Sequence, residues 1–284
     1  MKFPAFSDIL SQINQEVSKY RLRNLKTTGS EFPLFSADEK TVSTRSRNIS
    51  SRETALFRIL QIEEALYLDI ECYTPMKKSG YTFWSYMPQP APQQASVYLF
   101  HYDQNRNLPH RHDFTELVYV YQGTYTVEIE GRKRIFSTNE ICILNPSCEH
   151  QELECECSGI FLYLGFRTHT IMEQFRHELT PGLISTFLSG TQKQHARYLI
   201  LHLPENQSVF AEEYFARIFT ELQNPEAGSH IMKLLLLIRF FNFLERNSRD
   251  KSETVSNREH GTLLFDKIVC YVEEHLDTVS IRCV

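Results

Sequence analysis

The 284-residue sequence contains no run of about 18 apolar residues, the length needed to span a bilayer. Its longest apolar stretch, 234–238 with Phe240 and Phe241 beyond Arg239, is far shorter. The opening MKFPAFSDIL lacks a cationic flank, an apolar core and a small-residue cleavage site. That excludes a secretory signal and makes a cytoplasmic, membrane-free protein the expectation. A basic excess is also missing. Thirty Lys and Arg stand against 35 Asp and Glu, a net charge of −5, so the chain as a whole is not drawn to phosphate. Seven cysteines, an odd number without framework spacing, argue for free thiols rather than disulfides. There is no tandem repeat and no nucleotide-binding glycine loop.

What is present is an ordinary globular composition, 42% hydrophobic and 23% charged. A chain of this size buries roughly 75% of its unfolded surface, so a substantial core is expected. Phe6, Ile9, Leu10, Ile13, Val17 and Tyr20 recur at helical spacing and predict a helix over 7–22, with Ser7 as its cap. A polar linker over 26–47 follows. The capping-box spacing of Ser50-Ser51-Arg52-Glu53 then predicts a second helix ending near Asp69. PQPAPQQ, with Pro88, Pro90 and Pro92, continues neither helix nor central strand, which places a boundary there.

From Ser96 the pattern turns to strands. VYLFHY, ELVYVYQG, TYTVEIEG, RKRIF and EICILNP are short, rich in β-branched and aromatic residues, and separated by turns. Gln122-Gly123 and Glu130-Gly131 are expected hairpin turns, because glycine tolerates positive φ. After Arg167, helices are expected over 171–179, 183–188, 209–222 and 231–246, with one strand over 198–203 and a last helix over 263–276. The fold class read from this order is α+β: an N-terminal helical region (1–94), an antiparallel sandwich or barrel (95–168), and a helical subdomain (169–250).

One constellation carries chemistry. In HRHDFTELVYVYQG, His110, His112 and Glu116 share strand parity, so an extended strand aims two imidazoles and a carboxylate at one face. His150, in NPSCEH, adds a further imidazole after another strand. Such donors suit a divalent metal (Zn, Fe, Mn or Ni). They equally suit a polar pocket at the barrel mouth without any metal. Cys155 and Cys157 invite a metal reading too. However, Leu153, Cys155 and Cys157 alternate with Glu152, Glu154 and Glu156, which predicts one buried and one solvated strand face.

The spacing His-x-His, three residues, Glu, six residues, Gly resembles the first cupin motif, with Gln104 where that motif has an earlier glycine. The second cupin motif survives in outline at Pro146 and His150, one residue short and with Cys148 in a glycine position. The longer string from His110 to His150, continuing through RYLILHLPENQ, resembles the sensor region of AraC/XylS-family transcription regulators. FDKIVCYVEEHLDTVSI is similar to the opening of that family's helix-turn-helix domain, which would place the start of a truncated DNA-binding domain at 262–284. The resemblance implies a double-stranded β-helix (cupin) barrel and a small-molecule effector bound at His110, His112, Glu116 and His150. It also implies a homodimer, DNA contact only through the incomplete domain, and no enzymatic activity. The alternative is a metal-dependent cupin enzyme, an oxygenase or isomerase, with the same four residues as ligands. The helix over 231–246 is apolar nearly all round, which predicts a subunit contact along it.

Overall fold

The computed structural model describes residues 4–31, 66–76, 81–89, 96–102, 109–146, 148–153, 157–190 and 197–250. Helix α1 (Phe6–Thr28) buries Phe6, Ile9, Leu10, Ile13 and Val17, the expected stripe. It begins one residue before Ser7, at Phe6, with Ala5 in the N-cap position and no side-chain cap, and stops at Gly29 in the left-handed conformation (φ 75°). Among the described residues, eleven strands follow or interleave with four further helices. They are β1 (Leu66–Pro75), β2 (Tyr81–Met87), β3 (Ser96–Tyr102), β4 (Thr115–Gln122), β5 (Thr124–Ile129), β6 (Arg132–Ser137), β7 (Glu140–Leu144), β8 (His150–Glu152) and β9 (Gly159–Phe166). Next come α2 (Thr168–Phe175) with a 3₁₀ turn, α3 (Leu183–Ser189), β10 (Tyr198–His202), α4 (Glu205–Gln223), α5 (Ser229–Asn247) and β11 (Arg249–Asp250).

The strands form an eight-stranded sheet, in the order β11-β10-β7-β4-β9-β1-β2-β3, and a three-stranded sheet, β6-β5-β8, with every pairing antiparallel. The large sheet is buried on both faces, and strand parity sorts its residues. From β4, Val118 and Val120 turn towards the small sheet, joining Val127, Ile129, Phe136 and Tyr163 in an interior core. Leu117 and Tyr119 turn the other way, into a second core that includes residues of all five helices. Tyr119 stacks on Phe215 of α4 with ring centroids 5.5 Å apart. Among the described residues, no helix is long and apolar enough to cross a membrane.

The α+β class with an antiparallel, cupin-like barrel is thus as expected, but several elements differ. Residues 66–69 are strand rather than helix end. Leu66, Leu68 and Ile70 face the helices, while Tyr67, Asp69, Glu71 and Tyr73 are on the opposite parity, a period of two. β1 hydrogen-bonds to β9 and β2, so the sheet reaches back across the boundary placed at 88–94. Glu130-Gly131 makes the predicted hairpin, both residues at positive φ. Gln122-Gly123 does not: β4 belongs to the large sheet and β5 to the small one, so this turn is a corner between sheets. A Cβ on Gly123 would sit 2.3 Å from the Ser158 carbonyl oxygen. The face assignment after His150 is also reversed at its ends, with Glu152 buried and Cys157 exposed. His150 is turned inward by its pairing with His110, and two residues later Glu152 follows it. The linker over 32–47, most of the second helix, Cys155 and the segment 262–284 lie outside the described residues.

Candidate functional site

His110 and His150 are joined through their backbones. The His110 N–H donates to the His150 carbonyl (2.9 Å) and the His150 N–H donates back (3.1 Å). Residues 111–114 are not strand, so the continuous strand expected from His110 to Glu116 is absent. The in-out alternation persists nonetheless. His110, His112 and Phe114 are buried while Arg111 and Asp113 are exposed, and Arg111 pairs outside with Glu149 at 2.9 Å. Convergence therefore holds. The ring centroids of His110 and His150 are 4.2 Å apart, and those of His112 and His150 are 4.9 Å apart. One ring nitrogen from each of the three histidines lies within 4.8 Å of the others.

Glu116, at the start of β4, completes the group. Its Oε2 lies 3.6 Å from His112 Nε2 and 3.5 Å from His150 Nε2. Its Oε1 accepts a hydrogen bond of 3.2 Å from the Tyr67 hydroxyl. Tyr67, Gly165 and Glu116 are register partners on β1, β9 and β4, so the tyrosine ring reaches over the middle strand. Only glycine permits this, since a Cβ at 165 would fall 1.7 Å from the ring. Phe114 fixes the remaining wall, stacked 4.5 Å from the His112 ring and edge-on to Tyr67 at 5.4 Å.

The protonation pattern follows from these contacts. A carbonyl oxygen can only accept, so the 3.1 Å contact of His150 Nδ1 with the Cys148 carbonyl places the proton on Nδ1. Nε2 is then an unprotonated acceptor aimed at a carboxylate. Burial and the neighbouring histidines His110 and His112 lower the His150 pKa, which favours this neutral ring. Burial alone would raise the Glu116 pKa, but His112, the largest opposing influence, brings it well below the usual carboxylate range. An acceptor nitrogen facing an ionised oxygen is a configuration that a hydrogen-bond donor or a cation between them would relieve. The donor set also fits a divalent metal. Bonds of about 2.0–2.1 Å in a tetrahedral site put neighbouring donors about 3.4 Å apart, near the two Glu116–histidine separations. The nearby thiols of Cys142 and Cys148 are neutral, the latter pushed up to about 12 by burial.

Sequence reasoning found the four converging residues and missed Tyr67, Gly165 and the other interior acids. Asp69 accepts from Ser85 Oγ (2.6 Å), Glu71 accepts from the Tyr73 hydroxyl (2.9 Å), and Glu152 is buried beside them in the barrel. The alternation in LYLDIECY was the available signal. Deeper in the barrel, Tyr73, Phe83, Tyr125, Phe161 and Tyr163 pack ring against ring at 4.9–6.2 Å.

Residues 95–151 match the AraC-like ligand binding domain, and this segment carries His110, His112, Glu116 and His150. The resemblance read from the motif is borne out over that span. Among solved structures, apo ToxT from Vibrio cholerae is similar at 10% identity and a TM-score of 0.39, covering 65% of this chain and 57% of that one. This chain thus spans little more than half of that protein. ToxT with bound unsaturated fatty acid is similar at 12% identity and a TM-score of 0.36, covering 73% and 63%. A cupin protein from Bacteroides fragilis is similar at 12% identity and a TM-score of 0.26, covering 53% and 95%. No curated protein matches the chain.

Proposed function

We propose that this chain is the ligand-sensing part of an AraC-type transcription regulator, with a small effector bound at the histidine end of the barrel. The observation that carries this reading is the His150–Glu116 pair, a bare imidazole nitrogen 3.5 Å from an ionised oxygen inside the segment that matches a ligand-binding domain. An effector presenting a hydrogen-bond donor satisfies both groups at once. The aromatic packing deeper in the barrel directs it to the mouth, against His112, Phe114 and Tyr67. A signal requires that the effector favour one arrangement of the protein over another. β4 connects the two sides, since Glu116 lines the site while Leu117 and Tyr119 pack under the helices. In this reading the protein is a homodimer, and DNA contact belongs to the helix-turn-helix start at 262–284. The test is a thermal-shift screen of small metabolites on the wild-type chain and on His112→Ala. Compounds that stabilise only the wild type support the proposal, and a screen whose hits act equally on both removes it.

A metal-dependent site is the second reading, favoured by the three imidazoles with nitrogens within 4.8 Å. A bound divalent ion would supply Lewis acidity there. The chain's own part is orientation: Cys148 holds the His150 ring, and Tyr67 holds one oxygen of Glu116. Elemental analysis decides the point. Stoichiometric metal that disappears in His112→Ala supports this reading, and metal-free protein with normal effector binding removes it.

A further inference from the structure

On the helical side of the molecule, away from the histidines, α4 and α5 border a groove of about 450 Å³. Its aromatic lining is Phe210 and Tyr214 from α4 and Phe243 from α5, with Phe243 centred 6.1 and 5.6 Å from the other two rings. Three arginines border it, and their situations differ. Arg217 bonds to Glu213 one turn earlier on α4. Arg239 and Arg246, both exposed on α5, have no acidic partner among the described residues. They stand seven residues apart on the same helix, about 10.5 Å along its axis.

The chain is acidic overall, so two uncompensated guanidiniums beside an aromatic groove are a local feature and not part of a general basic surface. Guanidinium is the side-chain group best shaped to grip a carboxylate or phosphate through paired hydrogen bonds, and it is weakly hydrated enough to do so beside apolar surface. A volume of this size falls within the range of about 300–1,000 Å³ typical of small-molecule sites.

We propose that the α4–α5 groove is a second ligand site, one that takes a small organic anion with its acid group on Arg239 or Arg246 and a planar apolar body against Phe243 and Tyr214. The occupant is a small molecule. The apolar residues exposed on α5, Ile231, Met232 and Leu235, lie in its first two turns, upstream of both arginines. Leu235 stands one turn before Arg239 on the same face, so a second copy docked there is the rival occupant that the oligomeric state of the variant tells apart.

The test uses the full chain and two dyes of nearly the same shape, the anionic 1-anilinonaphthalene-8-sulfonate and the uncharged N-phenyl-1-naphthylamine. The sulfonate is expected to saturate at one site per chain, and to bind more weakly as salt rises. Arg239→Ala/Arg246→Ala should weaken it about tenfold or more, the scale of a lost charge-assisted contact, with little change for the uncharged dye. Unsaturable sulfonate binding, equal affinity for the double variant, or equal loss of both dyes overturns the proposal. An oligomer that dissociates in the same variant assigns the arginines to a copy-to-copy contact and overturns it as well.

Discussion

Tyr67 and Glu116 meet hydroxyl to carboxylate at 3.2 Å across a third strand, and the glycine at 165 is what lets them touch. Removing the hydroxyl with Tyr67→Phe should cost about 1.5–3 kcal/mol, the range for a hydrogen bond to a charged group. Gly165→Ala should be destabilising by about 1–3 kcal/mol, because its new methyl needs the space of the Tyr67 ring. Tyr67→Ala/Gly165→Ala should cost less than the two single changes summed. Urea unfolding of wild type, Tyr67→Phe, Tyr67→Ala, Gly165→Ala and the double variant measures these terms, and strict additivity of Tyr67→Ala and Gly165→Ala would show that ring and glycine are independent.

Acid should loosen this site in two stages. The His150 pKa is lowered from 6.5, so below that pH the unfolded imidazole takes up a proton that the folded one refuses, and stability falls. The Glu116 pKa is lowered from 4.5, so its contribution is complete above that value and is lost as pH falls through the depressed folded value. The urea midpoint should therefore drop between pH 7.5 and 5.5. The drop should be smaller in His150→Asn, in which the titrating ring is gone. A wild-type midpoint that rises over that interval would contradict the assignment of a neutral His150.

Glu245 ties α5 to α3. Its two oxygens accept the Leu183 and Ile184 N–H groups at 2.8 and 2.7 Å, capping the α3 N-terminus from another helix. Glu245→Ala should destabilise by about 1–2 kcal/mol, as loss of a helix cap does. Glu245→Gln, which keeps one acceptor oxygen, should recover part of the loss. The melting temperatures of the two variants make the comparison.

The subunit contact predicted along α5 must be narrower than its sequence suggested. Phe240, Phe241 and Leu244 are buried within the chain itself, so Phe240→Glu would report on folding. The exposed apolar residues are Ile231 (56%), Met232 (46%) and Leu235 (39%). Ile231→Glu/Leu235→Glu is expected to give a folded monomer. Sedimentation of wild type as a dimer and of the variant as a monomer supports that. A wild-type monomer at micromolar concentration rules the contact out.

The strands from Ser96 to Leu144 were legible because their period and their separating turns agreed. Convergence of the histidines was legible because in-out alternation survives at 110–114 even where the strand does not. Tyr67 was hidden for a different reason. Its strand carries Asp69 and Glu71 towards a barrel interior, against the usual rule that acids face water, and the segment resembled a helix end. Glu152 was misassigned by that same rule. The all-round apolarity of α5 predicts a subunit contact along it, but most of its coverage comes from the chain's own α4 and sheet core.

The measurement closest to the central claim is calorimetric titration of the best compound from the metabolite screen into wild type, His112→Ala and Glu116→Gln. Binding at one site per wild-type chain, about tenfold or more weaker in each variant with the fold retained, is the predicted result. Unchanged affinity in both variants would place the effector elsewhere and contradict the account.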